Sequence, residues 1–482
     1  MIKFNTFRPQ RVLLVGLLLF GICLGLYVAR FQLYVSAWWL IFLPLLALIV
    51  KKQKIGAVVA VLIIGLIIGN LRGSYFHKQI LMYNEFFYKN VTVTGVVVDD
   101  PGYNSKKQTE FHISSLEIQD KQLPGKVRIR SIQAVSVSRG DYVKVSGTFN
   151  PTIGTGRQGS ISYPNIVMLA KNDSWIEKIR LRFFSSIYST LPEPQASLVL
   201  GYLVGARASL PEDFTTAMSI VGLTHIIAVS GYNLTIIIRF VKKIFEKISA
   251  YQTVAFSFIL MFGFLLVTGW SPSIMRAVII TGFSLLAWYY GRRVNPVVLI
   301  FLGASITALI NPLYIWGDVG WYLSFLAFSG VILLAPLLTV LIFKSNKPGM
   351  LAQLLIETLS AQAFAVPYII LIFGKLSVIA PVSNVLVVPF IPISMLLGFV
   401  IGVIGMASPI LGLWLALPLR AIMTIKVWIV EKLATNNWAQ IDIKLETWHI
   451  AIIYLLLFVL LVIMNLAVKK RNEGESIDWD LL

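Results

Sequence analysis

Cysteine is almost missing from this 482-residue chain. Cys23 stands alone inside an apolar run, which excludes an intramolecular disulfide and any cysteine cluster for zinc. Histidine is scarce too. His77, His112, His225 and His449 lie far apart and none falls in an H-E-x-x-H or H-x-H-x-D-H arrangement. No metallohydrolase ligand set is visible, and neither a metal nor another cofactor is expected. The absence of a G-x-x-x-x-G-K-[ST] segment excludes uphill work driven by a phosphate-binding loop of this chain's own. Charged residues make up only 13%, and acids are the scarcer sign, 22 against 41 basic residues for a net charge of +19. What fills the chain instead is apolar: 57% hydrophobic residues, with a mean hydropathy of +0.80. Soluble domains sit nearer 45–50% apolar, so disorder and an ordinary soluble enzyme are both excluded. Apolar runs of about 18 residues recur, each long enough to cross a hydrocarbon core of roughly 30 Å. The pattern is that of a polytopic α-helical membrane protein embedded in a lipid bilayer. In such a protein an excess of Lys and Arg first reports topology, because cytoplasmic loops collect them.

Three apolar runs open the chain, near 12–29, 35–50 and 55–71, and define an N-terminal segment over 1–72. A signal peptide is a poor alternative, since the first run is long and two more follow closely. Lys51-Lys52-Gln53-Lys54 marks a cytoplasmic turn, placing the N-terminus inside and the end of the third span outside. Residues 73–173 differ in kind. Short stretches alternate polar residues with Val, Ile and Tyr between turn clusters such as Asp99-Asp100-Pro101-Gly102 and Arg139-Gly140-Asp141. About five strands in some 100 residues is the size of a small β-barrel, expected on the extracytoplasmic side. Residues 174–194 read as an amphipathic interfacial helix, with Ile176, Ile179, Phe183, Phe184 and Ile187 set against Lys178, Arg180 and Arg182. Residues 195–468 are almost continuously apolar. A re-entrant stretch near 196–206 is followed by spans near 216–238, 254–270, 274–290, 296–311, 318–343, 353–373, 376–406, 409–430 and 449–468. The basic clusters 239–247, 292–293, 344–347 and 469–471 then all fall inside. About twelve spans result, with both termini cytoplasmic and a cytoplasmic tail over 469–482.

Helix breakers and polar residues concentrate in three apolar places, where unwound backbone is tolerated only if it is buried in protein or lines a cavity. They are GLTHIIAVSGYN (222–233), GWSPSIMRA (269–277) and APVSNVLVVP (380–389). His225, Arg276, Asp318 and Glu357 are ionisable groups near membrane depth, and are functional candidates on that ground. In the β-rich segment Lys126-Val127-Arg128-Ile129-Arg130 alternates strictly, placing three cations on one strand face; Tyr142 and Lys144 share a face in a later strand. Cations with aromatics suit single-stranded nucleic acid, but a solvated barrel face is the plain alternative. With 12 basic and 8 acidic residues over 75–173, the residues alone favour that alternative.

These segments, in this order, resemble the membrane domain of the ComEC competence family, the DNA-internalisation channels of bacterial transformation. GLTHIIAVSGYNLTII is similar to that family's G-x-x-H-l-l-a-v-S-G-x-H stretch, and GWSPSIMRA to its G-x-x-p-S-x-x-R-A. NPLYIWGDVGWYLSFLAFSG and FGKLSVIAPVSNVLVVPFIP match two further family segments in order. Residues 73–173 resemble the family's OB-type domain in position, length and the VTGVVVDDPG opening. Asn233 stands where the family often has a second histidine, and Asn295 where it often has aspartate. Ion or proton roles at those positions are therefore not carried over. Many members continue into a metallo-β-lactamase-like nuclease domain, and no such segment is expected in this chain.

The resemblance implies a channel translocating DNA, as one strand, across the cytoplasmic membrane during uptake, and it turns the β-domain reading toward DNA binding. His225, Ser230, Gly231, Asn233, Ser273, Arg276, Asp318 and Asn384 are the expected channel-lining residues. Lys126, Arg128, Arg130, Tyr142 and Lys144 are the expected DNA contacts. Arg276 with Asp318 would shape the entrance. No catalytic residue is assigned and the chain is not expected to be an enzyme. A cytoplasmic helicase or ATPase and a separate nuclease are implied as partners, and the oligomeric state stays open, a homo-oligomer included. Two other readings remain. One is a secondary transporter for a small anionic solute, which also uses broken helices. The other is an intramembrane hydrolase using Ser230 and His225, although five residues put them about 140° apart on a helix.

Overall fold

A computed structural model describes residues 9–34, 54–103, 108–119, 121–132, 137–152, 158–205, 210–227, 231–269, 271–292, 294–344 and 348–471. The chain divides into two compact units, residues 1–173 with 294–322 and residues 174–293 with 323–482.

The first unit begins with a helical hairpin, α1 (Pro9–Ala29) and α2 (Lys54–Leu81). Its contact is made by glycines four apart, Gly21 and Gly25 against Gly65 and Gly69. A β-carbon at Gly25 would run into the Leu66 carbonyl oxygen, and one at Gly69 into that of Ile22. This is the small-residue packing that lets helices in lipid bring their backbones together. α10 (Pro296–Ile310) joins α1, where Ser305 Oγ donates to the Leu19 carbonyl at 2.8 Å.

After α2 a short 3₁₀ turn, Met82–Glu85, leads into the β-domain. Its strands are β1 (Asn90–Val97), β2 (Gly102–Tyr103), β3 (Thr109–Ile118), β4 (Lys121–Ser131), β5 (Tyr142–Asn150), β6 (Gly159–Ser162) and β7 (Asn165–Ala170). Five of them close a ring in the order β1-β3-β4-β6-β5-β1; β4 and β6 run parallel, and β2 and β7 are appended at β3 and β5. The expected small barrel is present, with the Greek-key closure of an OB-type domain. Val93, Ile113, Val127, Ile129, Val143, Val145, Phe149 and Ile161 fill it with no exposed surface. Tyr83 and Phe87 stack on Phe149 with centroids 5.9 and 5.6 Å apart, so the residues after α2 seal one end.

The second unit contains α3 (Trp175–Thr190), α4 (Gln195–Val204), α5 (Glu212–Ile220), α6 (Thr224–Ile227), α7 (Gly231–Phe245), α8 (Ala250–Thr268) and α9 (Pro272–Tyr289). α11 (Leu313–Gly317) belongs to the first unit, and α12 (Val319–Ser329) passes into the second. α12 continues through a π-helical segment, Gly330–Leu334, into α13 (Ala335–Phe343). Pro336 supplies the reason: it has no N–H for the α-pattern and its ring crowds the preceding turn. α14 (Met350–Phe373), β8 (Lys375–Ser377), α15 (Ala380–Val387), α16 (Ile391–Ala407), α17 (Pro409–Ala434), β9 (Gln440–Asp442) and α18 (Thr447–Arg471) complete it. A 3₁₀ turn over Val388–Phe390 makes 380–407 one continuous helical stretch.

Among the described residues nine helices are long and apolar enough to cross a membrane. The expectation of about twelve differs at three places. The run 35–50 lies outside the described residues. The run 216–238 is not one span but α5, α6 and α7, and α10 has 15 residues and is too short to span unaided. α3 also departs from its expected faces. Arg180 points inward and pairs with the buried Glu177 at 2.6 Å, while Ile179 is exposed. The inward face docks on α16, where Phe183 covers Gly402 and Ser186 covers Gly405.

The hairpin contact generates a test. Gly25→Ala must push α1 and α2 apart, and overpacking of this kind costs about 1–3 kcal/mol. A lower midpoint of thermal unfolding in detergent is expected, with Gly16→Ala, where a β-carbon meets only Val298 at 3.6 Å, leaving it unchanged.

Candidate functional site

The polar centre of the second unit is built around the interruption between α5 and α7. Met218, Val221, Leu223 and Ile226 are buried on both sides of the interruption, so the unwound backbone sits in an apolar setting. Gly222 takes φ +73°, and a β-carbon there would lie 2.5 Å from that of Ala380. Three successive carbonyls lose their helical partners, and each receives a side-chain donor. Ser377 Oγ donates to Ile220 O at 2.7 Å, and Ser383 Oγ to Val221 O at 2.7 Å. His225 Nδ1 lies 3.0 Å from Gly222 O. A carbonyl can only accept, so Nδ1 carries the proton in that contact and Nε2 is left outward as an acceptor. The first and third polar segments of the sequence are thus one physical unit.

The expected lining residues divide on this geometry. His225 serves the break, and Ser230 lies outside the described residues. Gly231 starts α7 against α9: a β-carbon there would be 3.0 Å from both Ala277 Cβ and Arg276 Nη2. Asn233 is buried and donates through Nδ2 to the Tyr202 carbonyl of α4 at 2.9 Å. Asn384 is buried, and it is its neighbour Ser383 that meets the freed backbone of the break. Adjacent helical residues point about 100° apart, and Ser383 is the one that faces the break. Asn384 Oδ1 has no partner among the described residues. Ser273 lies in the first turn of α9, whose cap is Ser271, with Oγ accepting from Ile274 N at 3.4 Å.

Arg276 is held by α12. Its Nε donates to Ser324 Oγ at 2.6 Å, and the guanidinium carbon lies 4.9 Å from the ring centre of Phe328 and 5.9 Å from that of Phe325. Aromatic faces compensate a cation without neutralising it. Asp318 belongs to the other unit, where its Oδ1 accepts from Trp321 N at 2.7 Å and caps α12. Glu357 accepts from Gln353 Nε2 at 2.7 Å within α14. Sequence reasoning passed over Ser377, Ser383, Tyr202, Ser394 and Lys426. The signal for Lys426 was there, one cation inside the apolar AIMTIKVWIV.

In the β-domain Lys126, Arg128 and Arg130 do share an outer face, alternating with the buried Val127 and Ile129. The register adds what the strand alone could not show. β3 sets Glu110 opposite Arg130, His112 opposite Arg128 and Ser114 opposite Lys126. Glu110 lies 3.0 Å from Arg130 Nε and 3.9 Å from Arg128 Nη1, so it neutralises part of the row. Asp99 accepts from His112 N at 2.9 Å and lies 2.7 Å from His112 Nδ1. Tyr142 and Lys144 pair with β1 and β7 instead, and form a separate group. β3 and β4 are the second and third strands of the five-stranded ring, the face that OB-type domains present to oligonucleotides.

Residues 202–468 match the family described as Competence protein. The chain belongs to the competence protein family. It is also 28% identical over 306 residues to ComE operon protein 3 of Bacillus subtilis (strain 168). That alignment covers 62% of this chain and 37% of the relative, so this competence-family chain spans well under half of that protein's length. No solved structure matches. The competence-family match takes in α5 to α9 and the 375–395 segment, so the break, its serine donors and Arg276 lie within it.

Two outcomes follow. Ser383→Ala leaves the Val221 carbonyl buried and unpaired, a cost of about 1–3 kcal/mol. Faster amide exchange at 221–227 is expected, with exchange in the β-domain unchanged. The second concerns Asp99. Burial alone would raise its carboxyl, but the His112 hydrogen bonds and charge, with Lys126, outweigh it and hold the group below its usual range. Its folded value is depressed, so its contribution is fully present above the unfolded value of about 3.9 and is lost as pH falls through the lowered folded one. Amide protection of β3 in the full chain should fall over that acidic window, and Asp99→Asn should flatten the dependence.

Proposed function

We propose that the chain forms a membrane channel that passes DNA, as a single strand, across the cytoplasmic membrane during DNA uptake. The observation that carries this reading is the competence-family match over 202–468, which contains the whole polar break. The β-domain supports it independently, since the Lys126–Arg130 row occupies the OB-type binding face. In this reading that row meets the phosphate backbone first. Arg276, held in aromatic faces by α12, gives the strand a cationic contact at the start of α7, and the 220–227 and 377–389 segments border the path. The transporter alternative draws on the same broken helices, but a small anion has no use for a basic strand face outside the bilayer.

The orientation follows from the positive-inside rule applied to the basic clusters, with α5 to α7 together and α10 each counted as one crossing. Both termini are cytoplasmic and the β-domain is extracytoplasmic. The chain acts as a conduit and not as an enzyme. Motive force and strand degradation are assigned to partners, a cytoplasmic helicase or ATPase and a separate nuclease.

The test is a titration of the full chain in detergent with a fluorescent oligothymidylate at several salt concentrations. Binding that weakens with salt is expected. Lys126→Gln should shallow the log–log slope by about 0.7, the share of one phosphate contact on a single strand. Glu110→Gln should tighten binding by releasing Arg128 and Arg130. Binding indifferent to salt, or to both substitutions, would refute the role given to this face.

A further inference from the structure

The second unit contains a cation that none of these roles uses. Lys426 lies on α17 and is 1% exposed. Among the described residues its Nζ has one hydrogen-bond partner, Ser394 Oγ of α16, at 3.4 Å, and it sits 4.3 Å from the ring centre of Tyr202 on α4. No carboxylate lies within 4.0 Å of it among the described residues. An ammonium has three donors, and a buried one is costly unless it is paired. The bland roles do not fit. A snorkelling lysine reaches water, and a structural ion pair has a partner. The backbone that carries this ring is anchored, since Asn233 Nδ2 of α7 donates to the Tyr202 carbonyl. Two residues away on α17, Thr424 accepts from Gln195 Nε2 at 2.9 Å, and Gln195 Oε1 is buried with no partner among the described residues. The seam of α4, α16 and α17 thus holds polar groups that the protein's own atoms leave unsatisfied.

We infer that Lys426 is an interior phosphodiester contact, with Ser394 as its hydroxyl partner, and that the Tyr202 ring holds the ammonium until the phosphate arrives. The inference rests on the strand-conducting reading above and adds a second contact to it, inside the membrane unit. Ser394 Oγ, which donates to the Phe390 carbonyl at 2.8 Å, can turn that proton onto a phosphate oxygen that Lys426 neutralises, while a ring face can hold the cation but cannot neutralise it. An intramembrane cation with this lack of partners is where an anionic substrate would be met.

The experiment uses the full chain in maltoside detergent free of phospholipid, titrated with fluorescent oligothymidylate over a salt series. Lys426→Met, which keeps the length of the side chain, should weaken binding and shallow the slope by about 0.7, and Lys426→Arg should keep the wild-type slope. Should Lys426→Met fail to fold, Ser394→Cys in a Cys23→Ser background decides. It should cross-link to an oligonucleotide carrying a haloacetyl group on one phosphorothioate. Wild-type affinity and slope in Lys426→Met, or no cross-link at position 394, overturns the inference and leaves the function standing. A wild-type chain that binds no oligonucleotide overturns both. The series is repeated with phosphatidylglycerol. A Lys426-dependent slope that disappears there assigns the contact to a lipid headgroup and overturns the strand as its source.

Discussion

Three backbone carbonyls in a row, at Ile220, Val221 and Gly222, govern the architecture of the second unit. In an apolar setting a carbonyl without a donor costs several kcal/mol, so the interruption can exist only where donors are brought to it. Two come from chain more than 150 residues away, the hydroxyls of Ser377 and Ser383. That requirement fixes where β8 and α15 dock, makes Gly222 a glycine because Ala380 presses on it, and commits the Nδ1 side of His225. Tyr202 and Asn233 then tie α4 to the first turn of α7. The break is the most constrained part of the unit rather than its loosest.

The cations of the barrel face and two cations of the second unit are met in different ways. On the barrel, where water screens, cations are partly answered by acids: Glu110 sits between Arg128 and Arg130, and Asp99 holds His112. In the second unit Arg276 and Lys426 are met by rings and serine hydroxyls instead. Rings lower the cost of a cation without cancelling its charge, and so leave it available to an anion that enters.

How much of this was legible depended on the range of the interaction. The β-domain was readable because period-two alternation is local, and Lys126, Arg128 and Arg130 stand where it places them. Glu110 was not recognised as their partner, since that needs the register of β3 against β4. The run 216–238 read as a single span because apolar residues continue through the break; only Gly222 and the polar residues after it hinted otherwise. The third polar segment supplies Ser383 to the break, whereas the sequence singled out its neighbour Asn384, a choice that one-residue helical phase decides. On α3 composition promised an apolar face and a basic one, but Glu177 gave Arg180 a partner and so allowed it inward in place of Ile179.

The π-helical segment ahead of Pro336 has a consequence for the helix that carries Ser324, Phe325 and Phe328. A wider turn accommodates one residue more than an α-helical turn, so everything beyond it is rotated by roughly 100° relative to an unbroken helix. The side chains that cradle Arg276 stand before that twist, and Leu334 and Leu337, which pack toward Phe364 and Met464, lie at or beyond it. One continuous rod can therefore address two neighbours lying in different directions, and a single-residue deletion there would misalign one of them while leaving the other in place.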